Sequence, residues 1–380
     1  MAHIEELAHS AAHTSLDRAS LGEVAIVHDY LNQRGGAEKV VLELAGLWPD
    51  APIYTSLYRP ESTFAEFRGR EIRTTLLDRL PVDRGFRNLF PLYPRAFRSF
   101  GEISADTVIA SSSGWAHYAR AVPDALHAVY CYTPARWLYR SDYLDGRGRP
   151  SSRQAVIRSV APLLRKADRR AAARADLYIA ISDEVRRRIQ DVYRVEVAVV
   201  YPPVDTDRLV PCPRGERLLV ISRLLPYKRV DLVVRAAERL GMGLDIVGDG
   251  PVFGGLQKMA GAGVRFYRAA PEQTVIELLE GCRTVCVAGE EDFGIVAVEA
   301  QAAGKPVVAY GRGGACETVQ QGVTGVLFSE QTEDAVVAAL IAADELPTSP
   351  ELIAAYARRF SREAFRDRLV ATLASHRRRT

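Results

Sequence analysis

The chain is poor in lysine and cysteine, has no long apolar run and carries almost no net charge, and each shortage removes a class of protein. Fifty basic against 47 acidic side chains leave a formal charge of +3 over 380 residues, which speaks against a general polyanion-wrapping role, and no nucleic-acid partner is expected. Only five of the basic residues are lysines (Lys39, Lys166, Lys228, Lys258 and Lys305). The five cysteines (131, 212, 282, 286 and 316) are odd in number and scattered, and Cys282 with Cys286 lacks the second pair that a thiolate metal site needs. That usage fits a reducing cytoplasm. No apolar stretch approaches the length of about 18 residues needed to span a membrane. Met1–Gly22 holds three histidines among small and acidic residues, without the basic start and apolar core of a secretion signal, and reads as an extension.

With 48% apolar and 26% charged residues, the composition is that of a globular protein large enough for two or three domains. Val24–Val27 is a β-branched run that leads through His28-Asp-Tyr to Arg34-Gly-Gly-Ala-Glu38, and Val40, Val41, Leu44 and Leu47 then repeat at helical spacing. That order is strand, glycine loop, helix. Further strands are expected at Ala51–Leu57, Thr107–Ser111, Ala128–Cys131, Leu177–Ile181 and Val195–Val200. Tyr201-Pro-Pro-Val-Asp205 and Pro211-Cys-Pro213 then interrupt the pattern, and a second alternating series begins. It has strands at Arg217–Ser222, Leu244–Val247, Gly263–Tyr267, Val285–Ala288, Val307–Ala309 and Gly325–Phe328, with helices between them at Val230–Leu240 and Glu272–Glu280. Strands alternating with helices build parallel sheets covered on both faces, so the expected fold class is α/β, with two doubly wound Rossmann-like domains facing across a cleft at their strand ends. The expected division is an extension over 1–22, domains over 23–202 and 203–355, and a helix over 356–380 that packs back toward the first domain.

Arg223 and Lys228 flank Leu-Leu-Pro-Tyr directly after a strand, and two cations leaving a buried strand suit a diphosphate, Arg as a fork and Lys as a point charge. Taken alone they are equally a solvated basic turn. Glu291 and Glu299 stand eight residues apart, with Glu291 placed in a loop and Glu299 about two turns into the following helix, so that both face one crevice. Carboxylates accept from sugar and ribose hydroxyls, while the N–H groups of Phe293, Gly294 and Ile295 offer donors at the helix start.

Taken together, Ser222-Arg-x4-Lys228, Gly248-Asp-Gly250, Glu291-x7-Glu299, Ala303-Gly-Lys-Pro306 and Gly313-Gly-Ala-Cys-Glu317 closely resemble the retaining, nucleotide-sugar-dependent glycosyltransferases of family 4, which have the GT-B fold. Arg34-Gly-Gly-Ala-Glu38 and Tyr130-Cys-Tyr-Thr-Pro-Ala-Arg-Trp137 resemble the family's mannosyltransferase-like branch, and the likeness covers roughly residues 23 to 375. The resemblance implies that Arg223 and Lys228 neutralise the donor diphosphate, that Glu299 holds the ribose hydroxyls, and that Glu291 touches the donor sugar beside the backbone of Phe293, Gly294 and Ile295. Gly35 and Gly36 would let the first-domain loop approach the diphosphate without a Cβ clash. The branch usually has Cys-His-Thr-Pro where this chain has Cys131-Tyr132-Thr-Pro134, and a His close after a triple Ser where it has Ser111-Ser-Ser-Gly114. His117, the nearest imidazole, is the candidate for a sugar or phosphate contact.

The implied reaction is hexose transfer, with GDP-mannose the favoured donor and a UDP-sugar the alternative, onto a glycan or lipid-linked acceptor. A small natural-product acceptor and a non-catalytic nucleotide-sugar-binding module are the competing readings. No metal site is assigned and no cofactor is expected to stay bound, since the Arg/Lys pair takes the charge role of a divalent ion. One segment invites a membrane reading. Arg84–Phe100 carries four Arg, no acid and five aromatics, a pattern that suits peripheral contact with anionic lipid on the inner face of the membrane and equally suits a helix with its aromatics in the core. Nothing in the sequence sets the oligomeric state.

Overall fold

A computed structural model describes residues 17–80, 89, 91–139 and 152–378. The chain divides into two compact units, one running to Pro202 and resuming at Phe365, the other Pro203–Ala364. Each is a doubly wound parallel sheet with helices, the Rossmann-like α/β fold expected.

The first unit's sheet comprises β1 (Val24–His28), β2 (Ile53–Thr55), β3 (Ile72–Thr74), β4 (Thr107–Ser112), β5 (Leu126–Cys131), β6 (Leu177–Ala180) and β7 (Val197–Val199). They lie in the order β3-β2-β1-β4-β5-β6-β7. Every residue of β1, β4 and β5 is buried, as expected of central parallel strands covered on both faces. The helices that matter below are α1 (Gly36–Leu47), α2 (Ser152–Ala172) and α3 (Asp183–Tyr193). Ser182 caps α3 by accepting from the Val185 N–H, and Asp183 and Glu184 place negative charge in its first turn.

The second unit holds β8 (Leu218–Ile221), β9 (Leu244–Val247), β10 (Val264–Tyr267), β11 (Thr284–Val287), β12 (Val307–Tyr310) and β13 (Gly325–Phe328) in the order β10-β9-β8-β11-β12-β13. Its helices include α4 (Val230–Leu240), α5 (Ile295–Ala302) and α6 (Pro350–Ala357). Leu218, Val220, Ile246 and Val308 from the sheet pack with Val233, Val234 and Leu340 from helices in one core. A last helix, α7 (Arg362–Arg377), belongs to the first unit from Phe365 onward, where Phe365 meets the Tyr130 ring edge-on at 5.8 Å and Arg366 pairs with Glu43 at 2.7 Å. The change of unit thus falls nine residues later than the expected 356, because α6 packs on α5 inside the second unit.

Two features escape a pattern reading. β3 is three residues long and only partly buried, and a two-stranded sheet pairs Glu102–Ile103 with Arg120–Ala121. Neither is long enough to show a period. Within the second unit, Lys305 is fully buried and donates to the carbonyls of Cys212 (3.0 Å) and Pro213 (2.5 Å), tying the start of the unit to the turn between α5 and β12. A buried ammonium without partners is costly, so these two bonds are what make the burial tolerable. Lys305→Met is expected to lower the stability of the second unit by about 3 kcal/mol, read as an earlier urea transition with the slope unchanged.

Candidate functional site

Winding reverses once in each sheet, between the first strand and the fourth, and the loops above those two strands part there. Open α/β sheets take their ligands at that reversal, outside the carboxyl ends of the strands. In the second unit the reversal lies between β8 and β11, and the two loops are Ser222–Arg229 and Ala288–Gly294. They hold five of the expected residues. Gly289 brings the loops together: a Cβ there would stand 2.7 Å from Lys228 Cα and 2.9 Å from the Tyr227 carbonyl oxygen, closer than any side chain tolerates. Across that contact the Lys228 ammonium donates to Glu291 Oε1 at 2.5 Å, with both side chains partly buried. Arg223 is exposed, with no side-chain partner among the described residues.

The second loop opens α5. Gly294 lies in the left-handed region at φ +98° and caps the helix with no side-chain hydrogen bond, at the positively polarised end of α5. The Phe293 side chain turns inward, against the Phe360 ring at 5.5 Å. Because α5 begins only at Ile295, Glu299 sits one turn into it rather than two. Glu299 is buried, and its Oε1 accepts from Arg208 Nη2 at 2.5 Å. Arg208, which the motifs leave out, also pairs with Glu272. The chain's one Asp-x-Asp spacing, Asp205-Thr-Asp207, likewise lies outside the motifs. Asp205 faces Arg362 at 3.6 Å, and among the described residues no group of three His, Cys, Asp or Glu side chains could hold a metal ion.

In the first unit the reversal lies between β1 and β4. Asp29, just past β1, accepts from the backbone N–H groups of Ser113 (2.6 Å), Trp115 (3.1 Å) and Ala116 (2.6 Å), which fixes the loop leaving β4. Burial pushes the Asp29 carboxyl up, against the pull of His28 and of the Ser113 and Ala116 N–H groups. Gly35 is extended, and a Cβ on it would stand 2.6 Å from Glu38 Oε2 of its own helix, so the glycine first makes room for that buried carboxylate. Gly36 begins α1. Tyr132 stands where the branch has His. Its hydroxyl donates to the Ala37 carbonyl at 3.1 Å and meets Ser111 Oγ at 2.8 Å, linking the end of β5 to the first turn of α1.

His117 corrects the sequence reading. It is 2% exposed, and its ring nitrogens are engaged by Ser112 Oγ (Nδ1, 3.2 Å) and Asp168 Oδ1 (Nε2, 3.0 Å). An imidazole held at both ends inside the core has no nitrogen to offer a sugar or phosphate. Asp168, from α2, also accepts from the hydroxyls of Tyr118 (3.2 Å), Tyr139 (2.8 Å) and Tyr193 (2.9 Å). Three aromatics of Arg84–Phe100 can be followed. Tyr93 and Phe97 are fully buried, as the core-helix alternative expects, and half-buried Phe100 packs edge-on to Tyr54 at 5.1 Å. Residues 81–88 and 90 lie outside the described residues, as does the extension up to residue 16.

A family model for Glycosyltransferase Family 4 matches residues 34–208, and one for Glycosyl transferases group 1 matches residues 213–360. The chain belongs to glycosyltransferase family 4. It is 34% identical over 215 residues to the GDP-mannose-dependent alpha-(1-6)-phosphatidylinositol monomannoside mannosyltransferase of Mycolicibacterium smegmatis, a match that covers 48% of this chain and 56% of that one. It is 31% identical over 193 residues to the D-inositol 3-phosphate glycosyltransferase of Mycobacterium leprae, covering 44% and 45%. The chain thus spans about half the length of the curated relatives it matches. An Anabaena protein solved in complex with UDP and glucose superimposes with a TM-score of 0.67 at 21% identity, covering 93% of this chain and all of that one, so this family 4 member shares the fold of GT-B glycosyltransferases. Among the described residues no helix is long and apolar enough to cross a membrane.

The Asp168 cluster has a measurable consequence. Burial pushes the Asp168 carboxyl up, but the His117 imidazole and the bonds from His117, Tyr139 and Tyr193 outweigh it and leave it below the usual carboxylate range. A carboxyl lowered by folding stabilises the fold fully above its unfolded value of about 3.9 and loses that contribution as pH falls through the folded value. Asp168→Asn is expected to cost on the order of 3 kcal/mol at neutral pH and to flatten the acid limb of the first unit's stability below about pH 4, checked by urea unfolding across pH.

Proposed function

We propose that the protein is a retaining glycosyltransferase that moves a hexose, mannose from GDP-mannose in the favoured reading, onto a hydroxyl of a glycan or lipid-linked acceptor. The observation that carries this reading is the Lys228–Glu291 pair across the strand reversal of the second unit, with exposed Arg223 on the same loop as Lys228. The GDP-mannose dependence named for the Mycolicibacterium relative supports the choice of donor. In this reading Arg223 and Lys228 take the diphosphate, the amino end of α5 adds its N–H groups, Glu299 accepts from the ribose and Glu291 holds Lys228 while facing the sugar. The acceptor oxygen bonds to the anomeric carbon on the face from which the diphosphate departs. The carbon–oxygen bond to the phosphate breaks, and the acceptor's proton passes to the departing diphosphate. Charge growing on that phosphate is met by the two cations, so no divalent ion is required.

Thermal shift of the full chain in EDTA against GDP, UDP, ADP and their sugar conjugates tests donor and metal together. GDP and GDP-mannose are expected to raise the melting temperature selectively. A preference for UDP would move the donor to a UDP-sugar and keep the enzyme class, while silence toward every nucleotide would overturn the transferase reading. Lys228→Ala is expected to lower kcat about 100-fold, as loss of one donor to a developing oxyanion does, with a stability change of no more than about 1 kcal/mol because the pair is partly exposed. Collapse of the mutant's fold with unimpaired turnover in the surviving fraction would reassign Lys228 to structure.

A further inference from the structure

Arg208 stands between two carboxylates of different exposure. Nη2 is 2.5 Å from Glu299 Oε1 on the buried side, while Nη1 donates to Glu272, whose side chain is 71% exposed. Arg208 itself is 16% exposed along its side chain, and its Nε is buried with no hydrogen-bond partner among the described residues, where the two carboxylates are what hold the guanidinium. Glu299 Oε2 makes no hydrogen bond among the described residues, which leaves the two oxygens of this carboxylate inequivalent.

We infer that Arg208 is the positioning residue for ribose recognition in the nucleoside diphosphate site, an inference that rests on the proposed role of Glu299 as the ribose partner. Glu299 is buried, and the bond from Arg208 confines its carboxylate to one rotamer. Arg208 pins one oxygen, so Oε2 is the acceptor left for a ribose hydroxyl. An acceptor in a fixed rotamer binds a hydroxyl more strongly than a mobile one. Arg208 needs no contact with the ligand for this.

The test is calorimetric titration of the full chain with GDP and UDP and with their 2′,3′-dideoxy analogues, which differ only in the ribose hydroxyls. Wild type is expected to bind the ribose form of its preferred nucleotide at least about tenfold more tightly than the dideoxy form, and Glu299→Gln to erase most of that ratio. Arg208→Ala should cut the ratio about fivefold or more, with affinity for the dideoxy form changed less than about twofold, and Arg208→Lys should restore part of it. An unchanged ratio in folded Arg208→Ala, or an equal loss for both forms, overturns the inference. Loss of fold in both Arg208 variants assigns the residue to stability and overturns it as well. If Glu299→Gln keeps the ratio, the ribose reading of Glu299 has failed; if it erases the ratio while Arg208→Ala does not, only the role of Arg208 has.

Discussion

Everything at both candidate sites depends on one topological constraint, the reversal of winding after the third strand of each parallel sheet. A right-handed crossover returns over one face of the sheet, so strands added in one direction put their helices on one face, and reversing direction sends the next helix to the other. Above the two strands where the directions meet, the loops diverge and no helix covers the strand ends. The chain does this twice, at β1 and β4 and at β8 and β11, and nearly all the residues with chemistry to offer stand on those loops. Lys228 and Glu291 are 63 positions apart and meet because β8 and β11 are neighbours.

The two units meet the cost of buried charge differently. In the second, charge is paired with charge: Lys228 with Glu291 across the reversal, and Arg208 with Glu299 on α5, each partly reached by water. The Lys228–Glu291 pair can exchange partners when an anion arrives, while Arg208 holds Glu299 with one oxygen left over, and a binding site needs both. In the first unit the carboxylates of Asp29 and Asp168 are sealed in and satisfied by backbone N–H groups or by an imidazole and three phenols. Networks that are fully satisfied at low dielectric rigidify what they touch, and here they hold the loop over Ser112–Ala116 in place. His117 belongs to that scaffold, one bond removed from the strand end.

Much of this is legible in the sequence, for identifiable reasons. The buried strands of the second unit announce themselves as short β-branched runs, and Leu244–Val247, Gly325–Phe328 and the helix Val230–Leu240 fall where the pattern puts them. The loop residues Arg223, Lys228 and Glu291, and Glu299 on α5, follow from motifs whose spacing reflects one loop or one helical turn. Short elements with no period, such as β3, are not legible. Nor are partners drawn from distant segments, because Arg208 is 91 residues from Glu299 and Asp168 is 51 from His117.

By itself the sequence determined the class of fold, the order of strands and helices, and the set of charged residues at the ends of particular strands. Periodicity and local spacing are short-range properties of a chain, and they survive without knowledge of what packs on what. Tertiary structure alone decided which of those residues are available. It turned His117 and Lys305 inward as structural groups, placed Arg208 on Glu299, and drew Tyr93 and Phe97 into the core. Availability depends on burial and on partners brought in by the crossing of strands, and neither is encoded within any one stretch of sequence.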